Sequence, residues 1–196
     1  MSTVVIPASS ECFDDVAAVL GSGSCWCAYY YMSASEYGRV RSDELAHAIA
    51  VRRALMRQRL ADRVAPGMLA YVDDTPVGWC GIGIRGSYSR LTHSRTIPPT
   101  DEDTVWSIVC FHVRTGYRRR GVASELLLGA VEYAREKGAP AILAYPVDSG
   151  GNRIQPTAAH VGVASMFKAA GFKRFRETQA RSANLPRWIY RLELTG

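Results

Sequence analysis

The sequence predicts a mixed α/β domain, and three observations carry that prediction. Short apolar runs rich in β-branched and aromatic residues alternate along the chain with longer, helix-like stretches. No internal repeat and no linker-like segment divides the 196 residues, so the length implies one domain over 1–196. About 47% of the residues are apolar, enough for a sizeable core.

Residues 2–6 alternate weakly and stop at Pro7, which predicts a first strand. Ser9-Ser10-Glu11 opens a helical stretch to Leu20 with serine as N-cap, and Gly21-Ser22-Gly23-Ser24 breaks it. An aromatic, thiol-rich segment follows, Cys25-Trp26-Cys27-Ala28-Tyr29-Tyr30-Tyr31. Ser42-Asp43-Glu44 caps a long helix to about Arg63, which Pro66-Gly67 ends. Met68–Val72 and Val77–Ile84 predict two strands joined by a hairpin turn at Asp73-Asp74-Thr75-Pro76. Residues 85–102 form a long polar loop, of a length that is uncommon without a function. Thr104–Val113 predicts an apolar central strand, Arg114–Arg119 a basic turn, and Gly121 to about Lys137 a helix closed by Gly138. Ala141–Tyr145 is a short strand, Pro146–Thr157 a loop and Val161–Ala170 a helix stopped by Gly171. Phe172–Arg176 and Trp188–Leu194 are closing strands around Asn184-Leu185-Pro186.

Composition excludes several classes. With 42 charged residues and 26 Gly plus Pro, the chain is neither highly charged and disordered nor low-complexity. No apolar run approaches the roughly 18 residues that span a bilayer, so no membrane partner is expected. The N-terminus lacks a basic start and a signal-peptide core, and the five cysteines are an odd number. Together they predict reduced thiols and a cytoplasmic location. The net charge of +6 rests on 21 Arg against 3 Lys and favours anionic partners. On the long helix, Arg52, Arg53, Arg57 and Arg59 read either as a solvated face or as a face for RNA or an acidic protein.

The informative segment is strand, basic turn, glycine, helix. Backbone N–H groups at a helix start have no internal partner, and the helix dipole adds positive charge there, so such a site suits phosphate. Gly121 and Ala123 remove bulk where backbone must approach a ligand, and Arg118, Arg119 and Arg120 add charge. A solvated basic cap is the other reading. Neither G-x-G-x-x-G nor G-x-x-x-x-G-K-[ST] is present.

Val113-Arg114-Thr115-Gly116-Tyr117-Arg118-Arg119-Arg120-Gly121-Val122-Ala123 resembles the acyl-CoA motif of the GNAT superfamily of N-acetyltransferases, in which an apolar strand end precedes [QR]-x-x-G-x-[GA]. Met166-Phe167-Lys168-Ala169-Ala170-Gly171-Phe172 resembles the second motif of that family, a helix ending in Gly-Phe. Cys25-Trp26-Cys27, Pro66–Tyr71, Val77–Cys80 and Ala144–Asp148 are similar to a bacterial subgroup with a CWC segment. The resemblance implies a largely antiparallel central sheet flanked by helices, opened by a V-shaped acyl-CoA cleft. It implies that Phe111 and Val113 face the pantetheine arm. The N–H groups of Arg119, Arg120, Gly121, Val122, Ala123 and Ser124 would cradle the pyrophosphate. Arg118 would hold the turn or meet a phosphate, and Phe167 would lie near the thioester.

The chain departs from the family where protons move. The common general-base Glu falls at Ser107 and the common general-acid Tyr at Phe167. Tyr145, Ser107 and Asp103 are the replacement candidates. Each also has a plain structural reading: Tyr145 as a strand-end aromatic with a solvated hydroxyl, Asp103 as a loop-end charge, Ser107 as a strand hydrogen bonder. His112 and His160 are further titratable groups with packing or capping alternatives. Trp26 and Tyr30, and Arg85 and Tyr88 from the long loop, are the candidate acceptor-side residues, the loop reading either as an arginine site for an acidic acceptor or as solvated. A C-x-C pair without two further close ligands predicts no metal.

The expected function is transfer of an acetyl group from acetyl-CoA to a primary amine, small molecules favoured, in a ternary complex. The competing expectations are a non-catalytic acyl-CoA sensor, a protein or peptide N-acetyltransferase and, less supported, a basic nucleic-acid binder. A monomer or a homodimer is compatible with the sequence.

Overall fold

The computed structural model describes residues 2–100, 104–150, 154–155 and 158–194. Among them, seven strands form one sheet: β1 (Thr3–Pro7), β2 (Gly67–Val72), β3 (Thr75–Ile84), β4 (Trp106–Val113), β5 (Ala141–Ala144), β6 (Lys173–Ser182) and β7 (Leu185–Glu193). Their order is β1-β2-β3-β4-β5-β7-β6. Only β4 and β5 pair parallel; the other neighbours are antiparallel. The helices are α1 (Phe13–Leu20), α2 (Ala28–Tyr31), α3 (Ala34–Ser42), α4 (Leu45–Leu60), α5 (Ser89–Thr92), α6 (Val122–Glu136) and α7 (Ala164–Ala169). The predicted mixed fold with a largely antiparallel sheet is the fold observed.

Each face of the sheet carries its own buried cluster. On one, Val122, Leu126, Leu127 and Ala130 of α6 pack against Trp106, Ile108 and Phe111 of β4. On the other, Phe13, Val16 and Leu20 of α1 and Met56 and Leu60 of α4 pack against Val109 and Cys110 of β4 and Leu143 of β5. Alternate residues of a strand face opposite sides, so two consecutive β4 residues, Val109 and Cys110, on one face mark an irregularity. The register shows it: Gly81 pairs with Cys110 and Ile82 with Ile108, leaving Val109 as an extra residue.

Several elements differ from the sequence reading. The segment after Cys27 is helical in two pieces, α2 and α3. The second begins with a capping box, in which Ser33 Oγ accepts from the Glu36 N–H and Glu36 accepts from the Ser33 N–H. The long polar loop contains a 3-10 turn, Arg85–Ser87, and α5. The last hairpin turns at Ala183-Asn184, with φ of +46° and +63°, so β6 runs further than the five residues predicted. Such paired left-handed residues match strand twist, and Asp73-Asp74 repeats the device between β2 and β3.

The arginines of α4 are not a plain solvated face. Arg57 stacks 3.8 Å from the Phe13 ring centroid, Arg53 lies 5.1 Å from that of Trp26, and Arg59 lies 4.6 Å from that of Tyr31. Arg52 is buried and directs Nη1 to the Ser24 carbonyl at 3.5 Å. A planar guanidinium can stack and hydrogen-bond together, which suits arginine over lysine here.

Gly67 of β2 lies where no side chain fits. An added Cβ would stand 2.4 Å from the Trp79 ring and 2.5 Å from the Cys80 carbonyl oxygen. Gly67→Ala is expected to cost about 2 kcal/mol or more through overpacking. The urea midpoint should fall with an unchanged m value, and an unaltered midpoint would refute the close approach.

Candidate acyl-transfer site

The site begins with the way β4 and β5 part. Their parallel pairing covers only Trp106↔Ile142, Ser107↔Leu143 and Ile108↔Ala144. β5 ends there, while β4 passes its bulge and continues to Val113. A bulge bends its strand and sharpens the local twist. Beyond it, the Arg114 N–H donates to the Val77 carbonyl at 2.9 Å. Strand alternation therefore turns the backbone groups of Val113 and Phe111 away from β3, toward the gap. The chain leaving β5 crosses instead to Val163 and Arg187, bridged by Val147.

The gap leads to the start of α6. Arg118 Nε donates to the Val113 carbonyl at 2.9 Å, tying the turn to the strand end. Gly121 is the N-cap at φ +83°, and no side chain caps the helix. An added Cβ at Gly121 would meet nothing within 4 Å, so the space in front of the helix start is open. Val122 is buried, Ala123 is half-buried, and Arg118, Arg119, Arg120 and Ser124 are exposed. The Ser124 N–H, expected among the donors, is instead bonded to the Gly121 carbonyl at 2.8 Å; the N–H groups before it and three exposed guanidiniums suit a pyrophosphate. Behind it, the Phe111 and Phe167 rings meet edge-on at 6.0 Å, and Phe167 meets Phe172 at 5.1 Å. Phe167 is fully buried and carries no hydroxyl, so it forms wall and donates no proton.

Of the proton-transfer candidates, the structure brings two together. Ser107 Oγ and Tyr145 Oη lie 3.1 Å apart in a buried setting at the point where β4 and β5 separate. The Tyr145 hydroxyl is thus bonded inside the protein rather than solvated. Arg187 Nε donates to the Tyr145 carbonyl at 2.8 Å. Asp103 lies outside the described residues. His112 is half-buried opposite Trp79, and burial, followed by the nearby Arg118 charge, lowers its pKa.

Of the acceptor-side candidates, Tyr30 and Tyr88 meet at 6.2 Å and the Tyr88 N–H donates to the Arg85 carbonyl at 3.1 Å, while Trp26 packs on Phe13. Trp26 is buried and donates its indole N–H to the Gly21 carbonyl at 2.8 Å. Arg85 is buried and holds the Leu91 carbonyl at 3.2 Å. Tyr88 is buried among Tyr30 and Tyr31. Tyr30 alone of the four lines a cavity, of about 240 Å³, that also includes Tyr29, Arg90, Gln179, Arg181 and Arg187. The strand residues among these went unseen in the sequence, because nothing local marks an arginine of a late hairpin as facing α2. Cys27 anchors the wall behind them. Its Sγ lies 3.0 Å from Cys110 Sγ at the bulge and accepts from Trp79 Nε1 at 3.3 Å. All five cysteines are free thiols, and among the described residues no group of His, Cys, Asp or Glu could hold a metal. No described helix is long and apolar enough to cross a membrane.

Burial, then the neighbouring Cys27, push the Cys25 thiol up from 9.0 to about 11. Burial also pushes the Tyr30 and Tyr145 phenols up, opposed at Tyr145 by Ser107, Arg85 and Arg187. The folded chain therefore keeps protons that the unfolded chain, with thiols near about 8.5 and phenols near about 10, has released. Stability from these groups is full below about pH 8.5 and falls as pH climbs through the raised values. Thermal melts should give a level Tm between about pH 7 and 8 and a falling one above about 9. A Tm that stays level to about pH 10.5 would contradict this burial.

The profile of the acetyltransferase (GNAT) family matches residues 26–155. No curated protein matches the chain. Similar solved structures include an N-acetyltransferase from Staphylococcus aureus Mu50, at 14% identity over 100% of both chains with a TM-score of 0.53. The PaiA N-acetyltransferase from Thermoplasma acidophilum in complex with coenzyme A is 15% identical over 98% of this chain and 99% of its own, at 0.50. YncA from Salmonella typhimurium with its cofactor acetyl-CoA is 14% identical over 100% of this chain and 95% of its own, at 0.56. At these identities the likeness is one of fold, and the family profile, covering about two thirds of the chain, adds the motif-bearing sequence to it. The chain belongs to the GNAT acetyltransferase family.

Proposed function

We propose that the chain acts as one acyltransferase domain over 1–196, moving an acetyl group from acetyl-CoA to a primary amine of a small molecule by direct attack in a ternary complex. One observation carries the reading: the unpaired edge of β4 runs into the glycine-opened, uncapped start of α6. That edge offers the Phe111 backbone and the Val113 N–H to an extended arm, as a strand would, the Val113 carbonyl being taken by Arg118. The start of α6 offers N–H groups and the Arg118–Arg120 charges to a pyrophosphate. The PaiA and YncA structures hold coenzyme A and acetyl-CoA, respectively, in chains of the same fold.

Acetyl-CoA supplies the activated thioester, and the chain's own residues orient it and handle protons. A strand N–H beside the bulge is suited to polarise the thioester carbonyl. With Phe167 in place of a tyrosine, the proton for the departing thiolate falls to Tyr145. Its phenol is protonated at neutral pH, burial raising its pKa above the ordinary value, and Ser107 hydrogen-bonds it. The attacking amine must arrive neutral, and His112, the one histidine of β4, has its pKa lowered by burial and then by Arg118.

Isothermal titration of acetyl-CoA, followed by thiol release against an amine panel, tests the reading. Binding with thiol release supports it. Binding without release favours the sensor alternative, and absence of binding overturns the cofactor assignment.

Gly121→Val places a β-branched residue at a left-handed φ, costing about 1–2 kcal/mol, and puts bulk in front of α6. Its Kd for acetyl-CoA should rise at least about tenfold, equivalent to about 1.4 kcal/mol. Tyr145→Phe should lower kcat by about two orders of magnitude while leaving acetyl-CoA affinity within about twofold. An unchanged kcat would remove Tyr145 from the proton path.

A further inference from the structure

The cavity of about 240 Å³ beside the parting of β4 and β5 has an unusual lining. Three guanidiniums border it: Arg90 from α5, Arg181 from β6 and Arg187 from β7. No Asp or Glu lines it among the described residues. Two of these arginines keep a buried nitrogen with no hydrogen-bond partner among the described residues, Arg90 Nε and Arg187 Nη2. Unpartnered buried donors on charged groups are costly and call for an acceptor.

The arginines are held in place by other contacts. Arg90 stacks 4.5 Å from the Tyr29 ring centroid. Arg181 Nη1 donates to the Asn184 carbonyl at 2.7 Å. Arg187 Nε donates to the Tyr145 carbonyl at 2.8 Å, which links this cavity to the Ser107–Tyr145 pair. The far wall is fixed too: the Gln179 N–H donates to the Thr96 carbonyl at 2.9 Å, and Arg176 Nη1 to the Pro99 carbonyl at 3.0 Å, strapping the loop before β4 onto β6.

We propose that the acceptor amine carries an anionic group, a carboxylate or a phosphate, that seats among Arg90, Arg181 and Arg187. The inference rests on the acetyl-transfer reading and adds the substrate class to it. Arginine forks match the planar oxygens of a carboxylate and the oxygens of a phosphate. Like charges around one cavity repel a cationic acceptor such as a polyamine. The volume equals the share of about eight liquid waters, so the fit is to a molecule of amino-acid size. An anion held at Arg187 would sit beside the chain leaving β5, since Arg187 itself bonds the Tyr145 carbonyl.

The test uses acetylated products, whose binding needs no turnover. With the protein saturated in coenzyme A, titrations would compare N-acetylglutamate with N-acetylglutaminamide, and N-acetyl-O-phosphoserine amide with N-acetylserine amide. The expected result is at least tenfold tighter binding of one charged compound than of its neutral twin, the pair that responds identifying carboxylate or phosphate. Arg90→Gln and Arg181→Gln should each erase most of that preference while the Kd for acetyl-CoA stays within twofold. Equal affinities within both pairs, no binding of any of the four, or a preference untouched by both substitutions overturns the proposal. The acetyl-CoA titration separates the two failures: if acetyl-CoA binds and the charged compounds do not, only the anionic acceptor is lost; if acetyl-CoA does not bind, the acetyl-transfer reading falls first.

Discussion

Val109 has no partner across β3, and the geometry of the candidate site follows from that extra residue. A regular β4 would continue its ladder with β5 and close the sheet. The bulged strand instead stops pairing at Ile108, and its remaining residues present backbone to an open gap. The same irregularity places Val109 and Cys110 on one face, where Cys27 packs its sulfur against Cys110. Gly81 supports this from β3, since a Cβ there would stand 3.1 Å from both the Cys27 and Cys110 sulfurs. Bulge, thiol contact and opening thus form one local arrangement, and the positive φ values of Trp26 and Cys27 bend the preceding segment into it.

How far the sequence revealed this differs by element. The strand-turn-helix of β4 and α6 was legible because its signals are local: an apolar run, a basic turn, a glycine at the helix start. The fold class followed from alternation of element types. The bulge was not legible, since an extra residue in a strand of unbroken apolar character changes no pattern until a partner strand sets the register. α2 was missed because four residues of Ala and Tyr have no helical period; its rings are held by neighbours, Tyr29 against Tyr37 at 5.4 Å and Tyr31 against Tyr88 at 5.0 Å. α3 is signalled locally, by Ser33 and Glu36 at capping-box spacing. The Ser107–Tyr145 contact joins residues 38 apart; each was singled out alone, and only the parallel pairing of β4 and β5 brings them together.

The basic composition also acquires a structural account. The charges of Arg53, Arg57 and Arg59 lie over aromatic rings of α1 and the segment after it, so these three serve packing between helices rather than a surface for anionic partners. Two places gather three arginines each, the turn before α6 and the cavity bordered by α5, β6 and β7. On the proposed reading these are the two ends of the reaction, one for the pyrophosphate and one for the acceptor.

The tight turn at Ala183-Asn184 has a consequence for how such a protein diversifies. Arg181 and Arg187 sit on two strands joined by only two residues, within a hairpin that shares no backbone segment with β4 or α6. Their guanidiniums are carried on hydrogen-bonded backbone, so little freedom is lost when they engage a partner. Because the hairpin is a separate stretch of chain, substitutions along it would, on that proposal, retune what the cavity accepts while the turn before α6 stays constant. On the proposed reading, acceptor choice and donor binding are separable properties, open to change one at a time.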